Sequence, residues 1–349
     1  MKVRTTISHL KVGIAGYGVI GKRRHIYVDQ HPHLKTVAVC DEKFKDCGNF
    51  DSGIRYYQTY EQLLEKEDLD VILVSLPNYL APDVTIAALR TGHHVFCEKP
   101  PASNLEDMKR VQAVSKEFPG LKIKYGFNHR YHDSVQDTLK IIRSGMLGDI
   151  INLRGIYGKS FLIFPESTWR AQREISGGGI LLDQGIHMID LMRLFAGEFD
   201  QIHSFIEKDY WKYNVEDNAY ILMRQSQTGV VAMMHSTATE WRHRFQLFIS
   251  FTKGSIILSG ILSGSKSYGA ETLSTIYRGE SDKGNPREEI RNYIKDNSWR
   301  LEIEDFADAI LRDHPIRIGN IKDAYKTLEL IFKIYYSDPA WRERYGIMI

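Results

Sequence analysis

The chain has 349 residues, 43% of them hydrophobic and 26% charged, which is globular material long enough for two domains of ordinary size. Acids and bases are interspersed around a formal net charge of +2, which argues against a nucleic-acid surface. No segment reaches the roughly 18 consecutive apolar residues of a membrane span, and MKVRTTISHLK at the N-terminus has no apolar leader core. Cys40, Cys47 and Cys97 lack disulfide or metal spacing, so the expectation is a cytoplasmic protein with no metal and with small core or near-core thiols.

Along the first third, short β-branched runs alternate with helical patterns. Strands are expected at 11–16 (KVGIAG), 34–41, 70–77 (DVILVSLP), 93–100 (HHVFCEKP) and 122–128 (KIKYGFN), with helices at 18–30, 60–67, 80–91 and 104–118. IRYY at 54–57 supplies the third strand of the series. This spacing specifies a doubly wound parallel sheet with right-handed crossovers, over residues 1–127.

From residue 128 the pattern changes. A helix at 132–144 and a strand at 150–157 are followed by a loop rich in Phe, Pro and Trp, including Phe161 and Phe164, and then by GGGILLDQGIHMIDLMRLF at 177–195. Strands at 202–208, 218–224, 229–238, 244–251 and 255–259 are separated by turns such as SQTG and TKG, and helices at 301–312 and 322–337 close the chain. Residues 128–349 therefore read as an α+β domain with a large, mainly antiparallel open sheet. Runs such as GVVAMM and LFISF are apolar at both parities, so both sheet faces are expected to be covered. Helices cover one face. A homodimer or homotetramer interface, or a plain buried sheet, accounts for the other.

Gly16-Tyr17-Gly18-Val19-Ile20-Gly21 is a G-x-G-x-x-G that follows a strand, opens a helix and has Asp41 twenty residues beyond its last glycine. That context makes it a dinucleotide-binding turn, in which backbone N–H groups at a helix start meet a pyrophosphate. Asp41 accepts from ribose hydroxyls and repels a 2′-phosphate, which favours NAD. Lys43 and the cluster Lys22, Arg23 and Arg24 keep NADP open, although such a cluster also reads as a solvated helix face. Ligands bind at the carboxyl ends of the strands of such a sheet. Those ends carry Gly16, Asp41, Pro77, Asn78, Glu98, Lys99 and Asn128, the candidate cofactor contacts, and a cis Lys99-Pro100 bond is expected. Lys99, at the nicotinamide end, is placed to reach a substrate hydroxyl.

In the stretch 177–195, helical spacing puts Asp183, His187 and Asp190 on one stripe of an otherwise apolar, buried helix. Buried ionisable groups need partners or a wet cavity, and the three glycines at its entrance let something approach closely. A satisfied core histidine is the alternative.

Four stretches together resemble the glucose-fructose oxidoreductase, inositol dehydrogenase and MocA family: GYGVIG with Asp41, CEKPPA (97–102), GFNHRY (126–131) and WRAQREISGGGILLDQGIHMID (169–190). The resemblance implies a Rossmann domain, an open-sheet domain and hydride transfer between nicotinamide and a sugar, cyclitol or nucleotide-sugar. It also implies that Lys99 contacts the reacting hydroxyl, that Asp183 and His187 belong to the catalytic helix, and that Arg130, Trp169 and Arg170 line the substrate site. Ala81 stands near a place where members often carry histidine. On this reading His187 exchanges the hydroxyl proton, Asp183 orients or stabilises it, Lys99 holds the oxygen, and Asp190 binds substrate or makes a structural hydrogen bond. A cofactor-binding sensor without turnover and an NAD-dependent glycosidase are the other readings. The intact Lys99, Asp183 and His187 argue against the first, and the missing export signal against the second.

Overall fold

A computed structural model describes residues 9–161, 169–208, 210–279 and 283–349. Residues 1–8 and Phe164 lie outside the described residues. The chain divides into two compact units, Met1–Phe127 with Trp299–Tyr325, and Asn128–Ser298 with Lys326–Ile349.

In the first unit the expected alternation is present. In chain order it holds β1 (Leu10–Ala15), α1 (Val19–Gln30), β2 (Leu34–Cys40), β3 (Gly48–Asn49), β4 (Arg55–Tyr57), α2 (Tyr60–Lys66), β5 (Val71–Val74), α3 (Ala81–Arg90), β6 (His94–Glu98), α4 (Leu105–Glu117) and β7 (Ile123–Gly126). The sheet order is β3-β4-β2-β1-β5-β6-β7, parallel except at the short β3 edge. Strands β5 and β7 are buried at every position, as a sheet covered on both faces requires. Helix starts are set locally: Thr59 and Gln62 form a capping box on α2, and Asn104 caps α4 through the Asp107 amide. From β1 the chain runs first to β2 and later to β5, on opposite sides, so the strand order switches at the carboxyl end of β1.

The second unit opens on a 3₁₀ turn (Asn128–Tyr131), followed by α5 (Asp133–Ser144), β8 (Ile150–Gly158), α6 (Arg173–Ser176), a π-turn (Leu181–Gly185) and α7 (Ile186–Ala196). Then come β9 (Gln201–Glu207), β10 (Asn218–Arg224), β11 (Val231–Thr237), β12 (Arg244–Phe251), β13 (Gly254–Ser259), β14 (Glu271–Tyr277) and β15 (Arg287–Tyr293). The chain continues with α8 (Ser298–Leu311), α9 (Ile321–Ser337) and α10 (Pro339–Tyr345). The sheet order is β15-β14-β13-β12-β8-β11-β10-β9, antiparallel except where β8 pairs with β11. Helix α7 lies on one face, where Met188 and Met192 fill the space above Gly155 of β8.

Three features differ from the sequence reading. Residues Trp299–Tyr325, expected in the second domain, cluster with the first unit. Ile303, Phe306 and Ala307, an i, i+3, i+4 stripe on α8, enter its core beside Val12, Ile14, Leu73 and Phe96. Among the described residues, the open sheet is covered on one face only. Its other face carries the cross-strand rows Phe205-Tyr220-His235 and Leu222-Met233-Arg154-Phe248, with Phe205 72% and Met233 53% exposed. Cys40 and Cys97 are buried, which pushes both thiols up to about 12, but Cys47 is exposed. No helix among the described residues is long and apolar enough to cross a membrane.

Phe306 meets Phe96 edge-on at 5.5 Å between ring centroids. Phe306→Ala should destabilise the first unit by about 3–5 kcal/mol, read as a lower urea midpoint. A midpoint equal to that of the native chain would place α8 outside this core.

Candidate active site

At the end of β1 the glycines separate by what surrounds them. Gly16 has φ +90°, and a Cβ there would stand 2.4 Å from the Ser75 carbonyl oxygen; a Cβ on Gly21 would stand 2.0 Å from that of Gly16. These two hold the turn against β5 and against itself. A Cβ on Gly18 would meet nothing within 4 Å, and Gly18 offers no side-chain cap to α1. An anion can therefore approach the first-turn amides of Val19 and Ile20. Asp41 is fixed beside them: the Tyr17 amide donates to Oδ2 at 2.9 Å and the Lys43 amide to Oδ1 at 3.1 Å. Each carboxylate oxygen keeps acceptor capacity, which suits a pair of ribose hydroxyls. These residues fit the dinucleotide that the motif implies.

Pro77 and the buried Asn78 form the turn after β5, with the Leu80 amide donating to the Pro77 carbonyl at 3.0 Å. Ala81, at the departure noted above, begins α3 and is buried. Lys99 is half-buried just beyond β6, and its bond to Pro100 is cis.

Arg24 is neither on a solvated face nor available to a cofactor. It is fully buried, donating to Glu98 Oε1 at 2.6 Å and to Glu302 Oε2 at 2.7 Å, with its guanidinium 4.4 Å from the Phe96 ring and 4.3 Å from the Trp299 ring. The Glu98 carboxylate, expected toward the cofactor, faces Arg24, and a Cβ on Gly126 would stand 2.9 Å from it. Burial raises the Glu302 carboxyl to about 7 against the opposing pull of Arg24 and Lys124.

In the second unit, the single polar stripe expected over 183–190 does not form as one stripe. The π-turn precedes α7, and the three groups have different surroundings. Asp190 is fully buried and pairs bidentately with Arg130, at 2.7 and 2.6 Å, and accepts from Thr327 Oγ1 at 3.0 Å. The Arg130 guanidinium neutralises this buried carboxylate and so holds α7 in place. Asp183 has Lys159 Nζ at 3.7 Å and Arg170 Nε at 3.8 Å, and the Arg170 guanidinium lies 4.2 Å from the Trp169 ring. His187 is buried with its ring parallel to that of His129, centroids 3.7 Å apart and planes 14° apart. Asn128, expected at the cofactor, belongs to this unit and donates to Ser298 Oγ at 3.1 Å.

Gly178 and Gly179 admit the protein itself. A Cβ on Gly178 would stand 2.2 Å from Tyr335 Oη, and one on Gly179 2.2 Å from the Glu216 carbonyl oxygen. The Glu216 carboxylate accepts from the Gly179 and Leu181 amides at 2.8 and 3.0 Å and from Tyr335 Oη at 2.6 Å. Burial raises its pKa, opposed by Arg173.

Sequence reasoning did not single out His129, Lys159 or Glu216. His129 lies inside GFNHRY, where Arg130 drew the attention. Lys159 shares the strand parity of Tyr157 at the end of β8, the signal that could have found it. Glu216 has no local signal, since its role depends on the distant Gly179 and Tyr335.

A family model described as "Oxidoreductase family, NAD-binding Rossmann fold" matches residues 10–120, and one described as "GFO/IDH/MocA C-terminal domain" matches 135–257. The chain is 32% identical over 222 residues to levoglucosan dehydrogenase of Pseudarthrobacter phenanthrenivorans, a match covering 57% of this chain and 54% of that protein, about half its length. It is 26% identical to D-glucoside 3-dehydrogenase of Escherichia coli over 97% of each chain. Among solved structures, levoglucosan dehydrogenase with NADH and levoglucosan shares the fold at a TM-score of 0.81 and 20% identity, over 96% of this chain and 98% of that one. Aldose-aldose oxidoreductase from Caulobacter crescentus aligns at 0.79 and 25% identity, over 96% and 98%.

Because the Glu302 carboxyl is raised in the folded state, its contribution to stability is complete below the unfolded value near 4.5 and is lost as pH rises through about 7. Glu302→Gln removes this titration. Relative to native protein, the variant should gain on the order of 3 kcal/mol between pH 5 and pH 8, read from unfolding midpoints. A pH-independent difference would refute the buried, raised carboxyl.

Proposed function

Because the chain belongs to the glucose-fructose oxidoreductase, inositol dehydrogenase and MocA family, we propose that it is an NAD-dependent dehydrogenase. Its substrate is a hydroxyl carbon of a free or nucleotide-linked sugar or a cyclitol. The observation that carries this reading is the pairing of an open glycine turn, with Asp41 fixed beside it, and a buried imidazole in the second unit.

When bound, the nicotinamide supplies the acceptor or donor of the hydride. His187 takes the hydroxyl proton as the C–H electron pair leaves and the carbonyl forms, and returns it in the reverse direction. The Lys99 ammonium holds the substrate oxygen and favours its alkoxide character. Asp183, set by Lys159 and Arg170, supports the charged form of His187 and binds substrate. Trp169 and Arg170 serve as substrate contacts, with the indole offering an apolar face to a sugar ring. The Asp41 carboxylate accepts from the adenosine ribose and repels a 2′-phosphate, favouring NAD over NADP. The unpaired buried thiols of Cys40 and Cys97 fit a reducing, cytoplasmic compartment. The uncovered sheet face, with Phe205, Leu222 and Met233, fits self-association into a dimer or tetramer.

The assay is nicotinamide reduction with NAD and NADP against free sugars, cyclitols and nucleotide-sugars. Lys99→Ala and His187→Ala should each lower kcat about 100-fold or more on the best substrate, and Asp41→Ala should erode the preference for NAD. Full activity in both of the first two variants would remove the assigned catalytic roles.

Analytical ultracentrifugation tests the sheet face. Leu222→Glu with Met233→Glu should convert a native dimer or tetramer to a folded monomer. A double variant with the native mass would exclude this face as the interface.

A further inference from the structure

The His129 ring stacks directly on that of His187, and its hydrogen-bond partners follow from its neighbours. Asn128 Nδ2 donates to Ser298 Oγ, which in turn donates to Asp296 Oδ1 at 2.6 Å. The Asn128 amide oxygen is therefore the atom that faces His129 Nδ1 at 3.2 Å, and it accepts the Nδ1 proton. On the opposite edge His129 Nε2 lies 3.1 Å from the Tyr157 hydroxyl. Burial holds Tyr157 protonated, so it donates to Nε2. Both ring nitrogens of neutral His129 are thus matched, one as donor and one as acceptor. Phe245 closes its side edge-on at 6.0 Å.

The His187 ring lies flat against this fixed ring. A neutral aromatic face stabilises a cation placed over it, and an imidazolium is such a cation. The other titratable groups are Asp183 one turn before His187, with Lys159 and Arg170 facing that carboxylate. The His132 ring lies 5.5 Å from His129, with its Nδ1 2.8 Å from Glu271 Oε2 and its Nε2 4.0 Å from Asp296. Tyr268 stands 5.4 Å from the Tyr157 ring. Among these, His129 alone is in ring contact with His187.

We propose that His129 is a positioning residue for His187: its hydrogen-bonded neutral ring fixes the plane of the catalytic imidazole and stabilises the positive charge acquired with the substrate's proton. This rests on the reading of His187 as the acid/base. Through the charge term, His129 raises the basicity of His187, so it assists proton removal from an alcohol.

The test uses the full-length protein with NAD and the best sugar of the panel. His129→Leu keeps apolar volume and removes the aromatic face. Its kcat should fall about tenfold with KM for the sugar within about twofold, and the acid limb of kcat/KM should move to lower pH by about half a unit or more. His129→Phe restores the face and should return kcat to within about threefold with the acid limb in its native place. A purely structural role would change thermal stability and leave the limb unmoved. If His129→Leu fails to fold by circular dichroism, Tyr157→Phe decides instead: it frees the His129 edge and should move kcat and the limb in the same directions. Native kcat and limb in the Leu variant, or in Tyr157→Phe where that replaces it, overturn the role. So does a Phe variant as impaired as Leu. Native turnover in His187→Ala would instead bring down the acid/base reading, and this proposal with it.

Discussion

The buried charge of Arg24 binds together three parts of the first unit: α1, β6 and α8. A guanidinium without solvent is tolerable only where carboxylates and ring faces replace the water, and here they come from two distant stretches of chain: Phe96 and Glu98 of β6, and Trp299 and Glu302 at the start of α8. The helix that begins at the glycine turn, the strand that delivers Lys99 and a segment nearly 200 residues further on are therefore bound through one side chain. Removing Arg24 would leave Glu98 and Glu302 without the cation that both of them bind. The raised Glu302 carboxyl shows the cost: with Glu98 already beside Arg24, a second buried negative charge is only partly compensated, and Glu302 takes up a proton near neutrality.

The second unit uses the same device twice. Arg130 and Asp190 join the chain entry after β7 to the middle of α7, and Glu216 ties the amides of Gly179 and Leu181 to Tyr335. Each joint lies within one turn of a group with proposed chemistry: Asp190 follows His187 by three residues, and Leu181 precedes Asp183 by two. The buried charges position, and the chemistry proposed above falls on their less buried neighbours. Asp190, polar and on the same helix as His187, is turned to this structural use: both of its oxygens accept from Arg130, and Oδ1 accepts from Thr327 as well.

Much of this was legible in the sequence because the first unit is locally encoded. Its strands are short β-branched runs, α2 and α4 carry their own caps, and the glycine turn announces itself by spacing. What was not legible depends on distant parts of the chain. Strand β15 reads REEIRNY, an exposed, charged edge whose composition deters further pairing and hides its strand character. Strand β14 begins with Glu271, whose burial makes sense only once His132 and Ser134 are seen to bind it. The return of α8 to the first unit follows from Phe306 and Ile303 fitting a core made 200 residues earlier, which periodicity alone cannot assign to one sheet or another.

The two glycine clusters carry this furthest. GYGVIG and GGG look alike as invitations to a ligand, yet of Gly16, Gly18, Gly21, Gly178 and Gly179 it is Gly18 that has both an open Cβ position and a helix start in front of it. At Gly178 and Gly179 the vacated space is filled by Tyr335 and the Glu216 backbone, so these glycines serve close packing around the start of the π-turn. The chemistry attached to Asp183 and His187 therefore cannot be inferred from the glycines that precede them. It follows from what surrounds each side chain: two cations around Asp183, and a flat, neutral ring beneath His187.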